Sequence, residues 1–76
     1  MKITIEDLQK IFSRVIEDVR IDINTKREDI LQWDSINQYI LIVELENFYD
    51  ILLTRTQIEK ITSIKQLIEV LEKKLT

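Results

Sequence analysis

The sequence predicts an all-α fold: a small four-helix bundle with a long first loop and a short third helix. Three observations predict it. Gly, Pro and Cys are all absent from the 76 residues, so tight Asn-Gly or Gly-X hairpin turns cannot be built and no disulfide can staple the chain. Apolar residues recur at helical spacing in three separate stretches. N-cap residues stand ahead of each stretch. A chain of this length makes one domain, residues 1–76, in which nearly every amphipathic segment must join a shared core.

The first stretch runs from about Ile5 to Val19, with Leu8, Ile11, Phe12, Val15 and Val19 on one face. Thr4 is its expected N-cap, and Glu6 and Asp7 place negative charge in the first turn, where the helix dipole favours it. From Arg20 to Trp33 the periodicity decays into a loop. A loop of that length needs pins, and Ile23, Ile30, Leu31 and Trp33 are the candidates. The second helix begins at Asp34-Ser35 and runs to about Phe48 or Tyr49. Its apolar residues form two stripes, Leu41, Ile42, Leu45 and Tyr49 on one side and Ile36, Tyr39, Ile40 and Val43 on another. So small a protein cannot bury both sides equally, which marks one of them as a contact surface. Thr54 to Gln57 offers cap chemistry for a helical turn or two reaching Ile58 and Ile61. Ser63 and Gln66 then read as a capping box for a last helix through Ile64, Leu67, Ile68, Leu71 and Leu75. The core is expected from Leu8, Phe12, Val15, Leu41, Ile42, Leu45, Ile61, Leu67, Ile68 and Leu71.

A hydrophobic share of 45% with 33% charged residues is a globular balance. The net charge of -3, with Lys and Arg scattered, argues against nucleic acid as a partner. No apolar run approaches the roughly 20 residues that span a bilayer, and the N-terminus has no apolar signal-peptide core, so no membrane role and a cytoplasmic monomer are expected. The chain has no His and no Cys, which removes Ser-His and Cys-His catalysis and the softer metal ligands. Adjacent carboxylates such as Glu17-Asp18 and Glu28-Asp29 read as solvated surface charge. No catalytic residue and no metal site are expected.

The distinctive feature is Asp34-Ser35-Ile36, preceded by Trp33 and followed by the two-sided helix through Val43-Glu44-Leu45-Glu46. On the helix start alone, Ser35 with Gln38 reads as a capping box, and Asp34 can cap instead. The pattern resembles the acyl carrier protein family. There, an Asp-Ser-Leu or similar triplet opens the second of four helices, and the Ser carries 4'-phosphopantetheine through a phosphodiester. The resemblance covers the whole chain, including Glu59-Lys60-Ile61-Thr62-Ser63-Ile64 between the last two helices. It implies a four-helix bundle of acyl-carrier type, with Ser35 as the attachment point and Asp34 and Ile36 as the flanking motif. A phosphate at a helix N-terminus faces unpaired backbone N–H groups and the positive end of the dipole, so the physics of the position agrees.

The resemblance further implies a non-catalytic shuttle that holds an acyl group as a thioester. Its expected partners are a phosphopantetheinyl transferase, an acyl-loading ligase or transferase and downstream biosynthetic enzymes of the fatty acid or polyketide kind. It makes Asp34 the cap, leaving the Ser35 hydroxyl free, while Asp34 reads equally as a group that assists the transferase. It turns the exposed side of the second helix into a docking face: Ile36, Asn37, Tyr39, Ile40, Val43 and Glu46. Asn37 and Ile40 stand where relatives commonly show acids, and Trp33 replaces the usual Gly before the Asp. Trp-Asp-Ser-Ile thus looks like a discrete carrier of a specialised pathway. Trp33 itself reads as a loop anchor whose indole N–H stays wet. The resemblance also implies that the acyl group folds back between helices into a pocket lined by Leu45, Ile61 and Leu71. Two alternatives stand beside this reading: an unmodified helical protein-interaction module, and a peptidyl or aminoacyl carrier, which usually shows Gly-Gly-His-Ser or Gly-Gly-Asp-Ser instead.

Overall fold

A computed structural model describes residues 2–76. Among them are four helices, α1 (Ile5–Val15), α2 (Ser35–Tyr49), α3 (Arg55–Glu59) and α4 (Ile64–Leu75), with a 3-10 turn at Arg27–Asp29 in the first loop. They enclose one core cluster.

Each α-helix starts where a side-chain oxygen satisfies a first-turn donor. The Asp7 N–H donates to Thr4 Oγ1 at 3.2 Å, and Asn37 N–H donates to Asp34 Oδ1 at 2.9 Å. At α3 the box is reciprocal: Gln57 N–H donates to Thr54 Oγ1 at 3.2 Å and Thr54 N–H to Gln57 Oε1 at 2.9 Å. At α4 it is displaced by a residue. Gln66 N–H donates to Ser63 Oγ at 3.1 Å, but Gln66 Oε1 accepts from Thr62 N–H at 3.0 Å.

The first helix is shorter than the apolar spacing predicts. It stops at Val15, Ile16 is extended, and Asp18 turns the chain with φ 55, a left-handed conformation that Asp tolerates better than most residues. Val19 and Ile21 still enter the core, each 8% exposed, but as an extended segment. The Gln9 side chain holds it there, donating to Val19 O at 2.8 Å and accepting from Ile21 N–H at 2.9 Å. One amide thus holds the start of the loop with two bonds against the helix the chain has just left. A periodicity count places Val19 at the right angle, but nothing in it reveals that the helix has ended.

The loop is pinned differently from the expectation. Trp33 is buried at 3% and Ile30 packs at the core edge, whereas Ile23 and Leu31 lie 43% and 92% exposed. Backbone bonds supply the missing restraint: Arg27 N–H to Thr62 O and Ile64 N–H to Thr25 O, both 2.9 Å. These tie the loop to the α3–α4 junction. In the core, Leu8, Phe12, Leu41, Ile42, Leu45, Ile61, Leu67 and Leu71 are buried as expected, while Val15 and Ile68 are half-buried at its edge. Each full burial of such a side chain contributes about 1.5–3 kcal/mol.

Tyr49 closes the buried face of α2 and its hydroxyl is buried without a hydrogen-bond partner. Burial, with the Asp7 carboxylate adding to it, pushes this phenol above its ordinary value. The folded state therefore favours the neutral phenol. The associated stability is complete below the ordinary tyrosine value of about 10 and declines as pH rises above it. Replacing Tyr49 by Phe removes the unpaired hydroxyl and is expected to stabilise the fold by about 1 kcal/mol at neutral pH. It should also flatten the alkaline decline, as read by urea unfolding at neutral and alkaline pH.

Candidate functional site

The N-terminus of α2 is fixed on both sides of an exposed Ser35. Asp34 is extended, with φ -94 and ψ -175, and it is the residue whose carboxylate caps the helix. Ser35 and Ile36 occupy the first two helical positions, whose N–H groups have no acceptor within the helix. Among the described residues the Ser35 hydroxyl has no hydrogen-bond partner. It is a free nucleophilic oxygen at the positive end of a helix of 15 residues.

The residues before Ser35 are anchored in depth. The Trp33 ring meets Phe12 of α1 edge to face, with centroids 5.0 Å apart and planes at 82°, a favoured aromatic geometry. Trp33 N–H donates to Ile30 O at 3.0 Å, and Trp33 O accepts from Arg27 Nε at 2.9 Å. Its indole N–H is not wet. It donates to Gln38 Oε1, and both side chains are buried. Gln38 Nε2 in turn donates to Ile58 O at 3.3 Å and Ile61 O at 3.4 Å. Gln38 therefore belongs to no capping box with Ser35; its amide is occupied in the interior. The sequence signal was present, since Gln38 falls on the stripe of Leu41, Ile42, Leu45 and Tyr49. A polar residue in a core stripe needs a partner, and the neighbouring indole supplies one.

On the opposite face, Ile36, Tyr39, Ile40 and Val43 are 73%, 70%, 42% and 37% exposed. They form a continuous apolar stripe starting beside Ser35. Two polar members of the expected docking set have structural duties. Asn37 Nδ2 donates to Gln32 O at 2.7 Å, bracing the turn into the helix. Glu46 Oε2 accepts from Leu53 N–H at 2.9 Å, bracing the turn out of it. Glu44 faces Arg14 at 3.5 Å, an exposed pair of small energetic weight.

Leu45, Ile61 and Leu71 are at most 1% exposed and packed within the core. The open cleft nearest Trp33 lies instead between the first loop and the start of α4, bordered by Lys26, Arg27, Leu31, Thr62 and Ser63. None of the four helices is long and apolar enough to cross a membrane.

Because the Asp34 carboxylate rather than the Ser35 hydroxyl caps α2, Asp34→Ala should cost about 1 kcal/mol in urea unfolding and Ser35→Ala much less. Were Ser35→Ala the costlier change, the assignment of the cap would be wrong.

No protein-family model and no curated protein matches the chain. Among solved structures, it is similar to the solution structure of a holo acyl carrier protein from Geobacter metallireducens. Identity is 31% and the TM-score 0.82, over 95% of this chain and 85% of that one. With the four-helix order matched over nearly the whole length at that identity, the chain belongs to the acyl carrier protein family and is a carrier rather than an enzyme.

Proposed function

We propose that Ser35 carries 4'-phosphopantetheine and that the chain presents an acyl group, held as a thioester on that arm, to enzymes of a specialised biosynthetic pathway. The observation that carries this reading is the division of labour at the start of α2: Asp34 takes the cap and Ser35 is left exposed with a free hydroxyl. The holo form of the similar protein supports the same assignment. In the modification, Ser35 Oγ bonds to the pantetheine-bearing phosphorus of the coenzyme A pyrophosphate, and the bond from that phosphorus to the bridging oxygen breaks. The hydroxyl proton leaves and adenosine 3',5'-bisphosphate departs. The residues fit the product, because the unbonded N–H groups of Ser35 and Ile36 and the helix dipole favour a phosphodiester. When bound, the arm supplies a thiol that this cysteine-free chain lacks.

The docking face in this proposal is the stripe of Ile36, Tyr39, Ile40 and Val43, continued by Asn37 and Glu46. Its centre is apolar where the commoner carriers are acidic, which favours partners with an apolar contact surface over enzymes that present basic patches. A phosphopantetheinyl transferase, a dedicated acyl ligase and downstream enzymes acting on a cytoplasmic monomer complete the reading. An unmodified interaction module would use the same stripe to bind an amphipathic helix.

Incubation with coenzyme A and a broad-specificity phosphopantetheinyl transferase is expected to add the mass of one arm to the wild type and none to Ser35→Ala. An unchanged wild-type mass would favour the unmodified module. Once the arm is on, Ile40→Glu is expected to lower kcat/KM with a dedicated ligase by about tenfold or more. An equal or higher rate after that change would count against the apolar docking face.

A further inference from the structure

The face of α2 that enters the core reads Gln38, Leu41, Ile42, Leu45 and Tyr49. Gln38 is its member nearest Ser35, about 4.5 Å further along the helix axis. It is also the one amide or charged side chain among the buried described residues, at 7% exposure. Its amide is fully engaged, accepting from the Trp33 indole and donating to the carbonyls of Ile58 and Ile61 at 3.3 and 3.4 Å. Those carbonyls belong to α3 and the residue shortly beyond it. Gln38 therefore crosses the seam between α2 and α3 at the end that faces Ser35.

The core beside it is tightly packed, with Leu45 and Ile61 each 1% exposed and Leu71 at 0%. On the core face of α2, Gln38 stands between Ser35 and Leu45, so an alkyl chain running from Ser35 along that face meets Gln38 before Leu45. To pass, it would have to part the amide from both carbonyls and leave polar groups unpaired in an apolar space, which opposes the gain from burying methylenes. The short α3 has no fully buried side chain of its own, with Ile58 half-buried at the core edge, so this amide adds a restraint on its position against α2.

We infer that Gln38, clamped by Trp33, closes the α2–α3 seam to cargo, and that the acyl group this chain carries is short or polar and rides outside the core. The inference rests on the reading of Ser35 as the arm site and names the cargo class for it. Leu45, Ile61 and Leu71, the core residues that the family resemblance makes the lining of a cargo pocket, serve in this inference as core alone.

The test loads the full chain with acetyl and octanoyl pantetheine from the corresponding coenzyme A thioesters, using the transferase, and follows thioester cleavage by hydroxylamine. Rates are taken relative to the same thioesters on free pantetheine. In the wild type the octanoyl and acetyl forms are expected to agree within about twofold, whereas Gln38→Leu is expected to protect octanoyl about tenfold, the ratio of a mostly buried chain. Methyl NMR signals of Leu45, Ile61 and Leu71 in the wild type should be the same with either cargo, a readout that does not depend on the variant folding. Tenfold protection of octanoyl in the wild type, or cargo-dependent shifts at those methyls, would overturn the inference while leaving Ser35 as the arm site. A folded Gln38→Leu that gives no protection would overturn the role of Gln38. Failure of the wild type to gain any arm mass would overturn the carrier reading, and this inference with it.

Discussion

The structure turns on the bond between the Trp33 indole and the Gln38 side-chain amide. Trp33 lies against Phe12 of α1, Gln38 belongs to α2, and the amide reaches the carbonyls of Ile58 and Ile61 at α3. Trp33 O accepts from Arg27, whose own N–H donates to Thr62 O just before α4. Helices α1, α2 and α3 thus contact the pair that flanks Ser35 directly, and α4 is reached through Arg27 and Thr62, whose N–H donates to Gln66 Oε1. A buried polar network of this kind is costly if half satisfied and specifying if complete. Here each polar atom of the indole and the amide oxygen has a partner, and the amide nitrogen has two. Ser35 lies in the five-residue interval between its two ends, held at a defined place without being held itself.

The same arrangement divides α2 into two surfaces with different work. The face led by Gln38 builds the core, and the face led by Ile36 remains in solvent with four large apolar residues. Leaving that much apolar surface exposed in a chain this small forgoes burial free energy the fold could otherwise use. The docking surface proposed beside Ser35 accounts for it. Asn37 and Glu46 stiffen the two ends of that surface by bracing the turns into and out of α2, so a partner meets a preformed face rather than one it must order.

Much of this was legible in the residues. The caps depend on local hydrogen bonds. Thr4 and Ser63 cap where the sequence places them, and Thr54 caps within the stretch Thr54 to Gln57 that offers the chemistry. The choice between Ser35 and Asp34, open on the helix start alone, falls to Asp34 as the resemblance implies. The double stripe on α2 was legible because it depends only on helical periodicity. What was not legible depends on contacts between residues distant in sequence. The early end of α1 is set by Gln9 bonding to Val19 and Ile21, which spacing cannot show because Val19 sits at the angle a longer helix would give it. Leu31 was expected to be a pin and is exposed, since the loop is restrained by backbone bonds to Thr62 and Thr25 that carry no side-chain signature. The Trp33 indole is expected to be wet because large aromatics often bury the ring and leave the N–H in solvent, and Gln38 reads separately as half of a capping box with Ser35, so nothing local pairs the two. Ser35 stands out in the sequence as the candidate residue, but the interaction that positions it does not.

Amide hydrogen exchange on Trp33→Phe tests the central claim most directly, because Phe keeps a ring against Phe12 while removing the indole N–H and leaving the Gln38 oxygen unpaired. The account predicts that the amides of Gln38, Ile58 and Ile61 exchange about tenfold faster or more, while those of Leu8, Phe12 and Leu67 keep most of their protection. Unchanged exchange at Gln38, Ile58 and Ile61, or an equal rise at every amide, would contradict it.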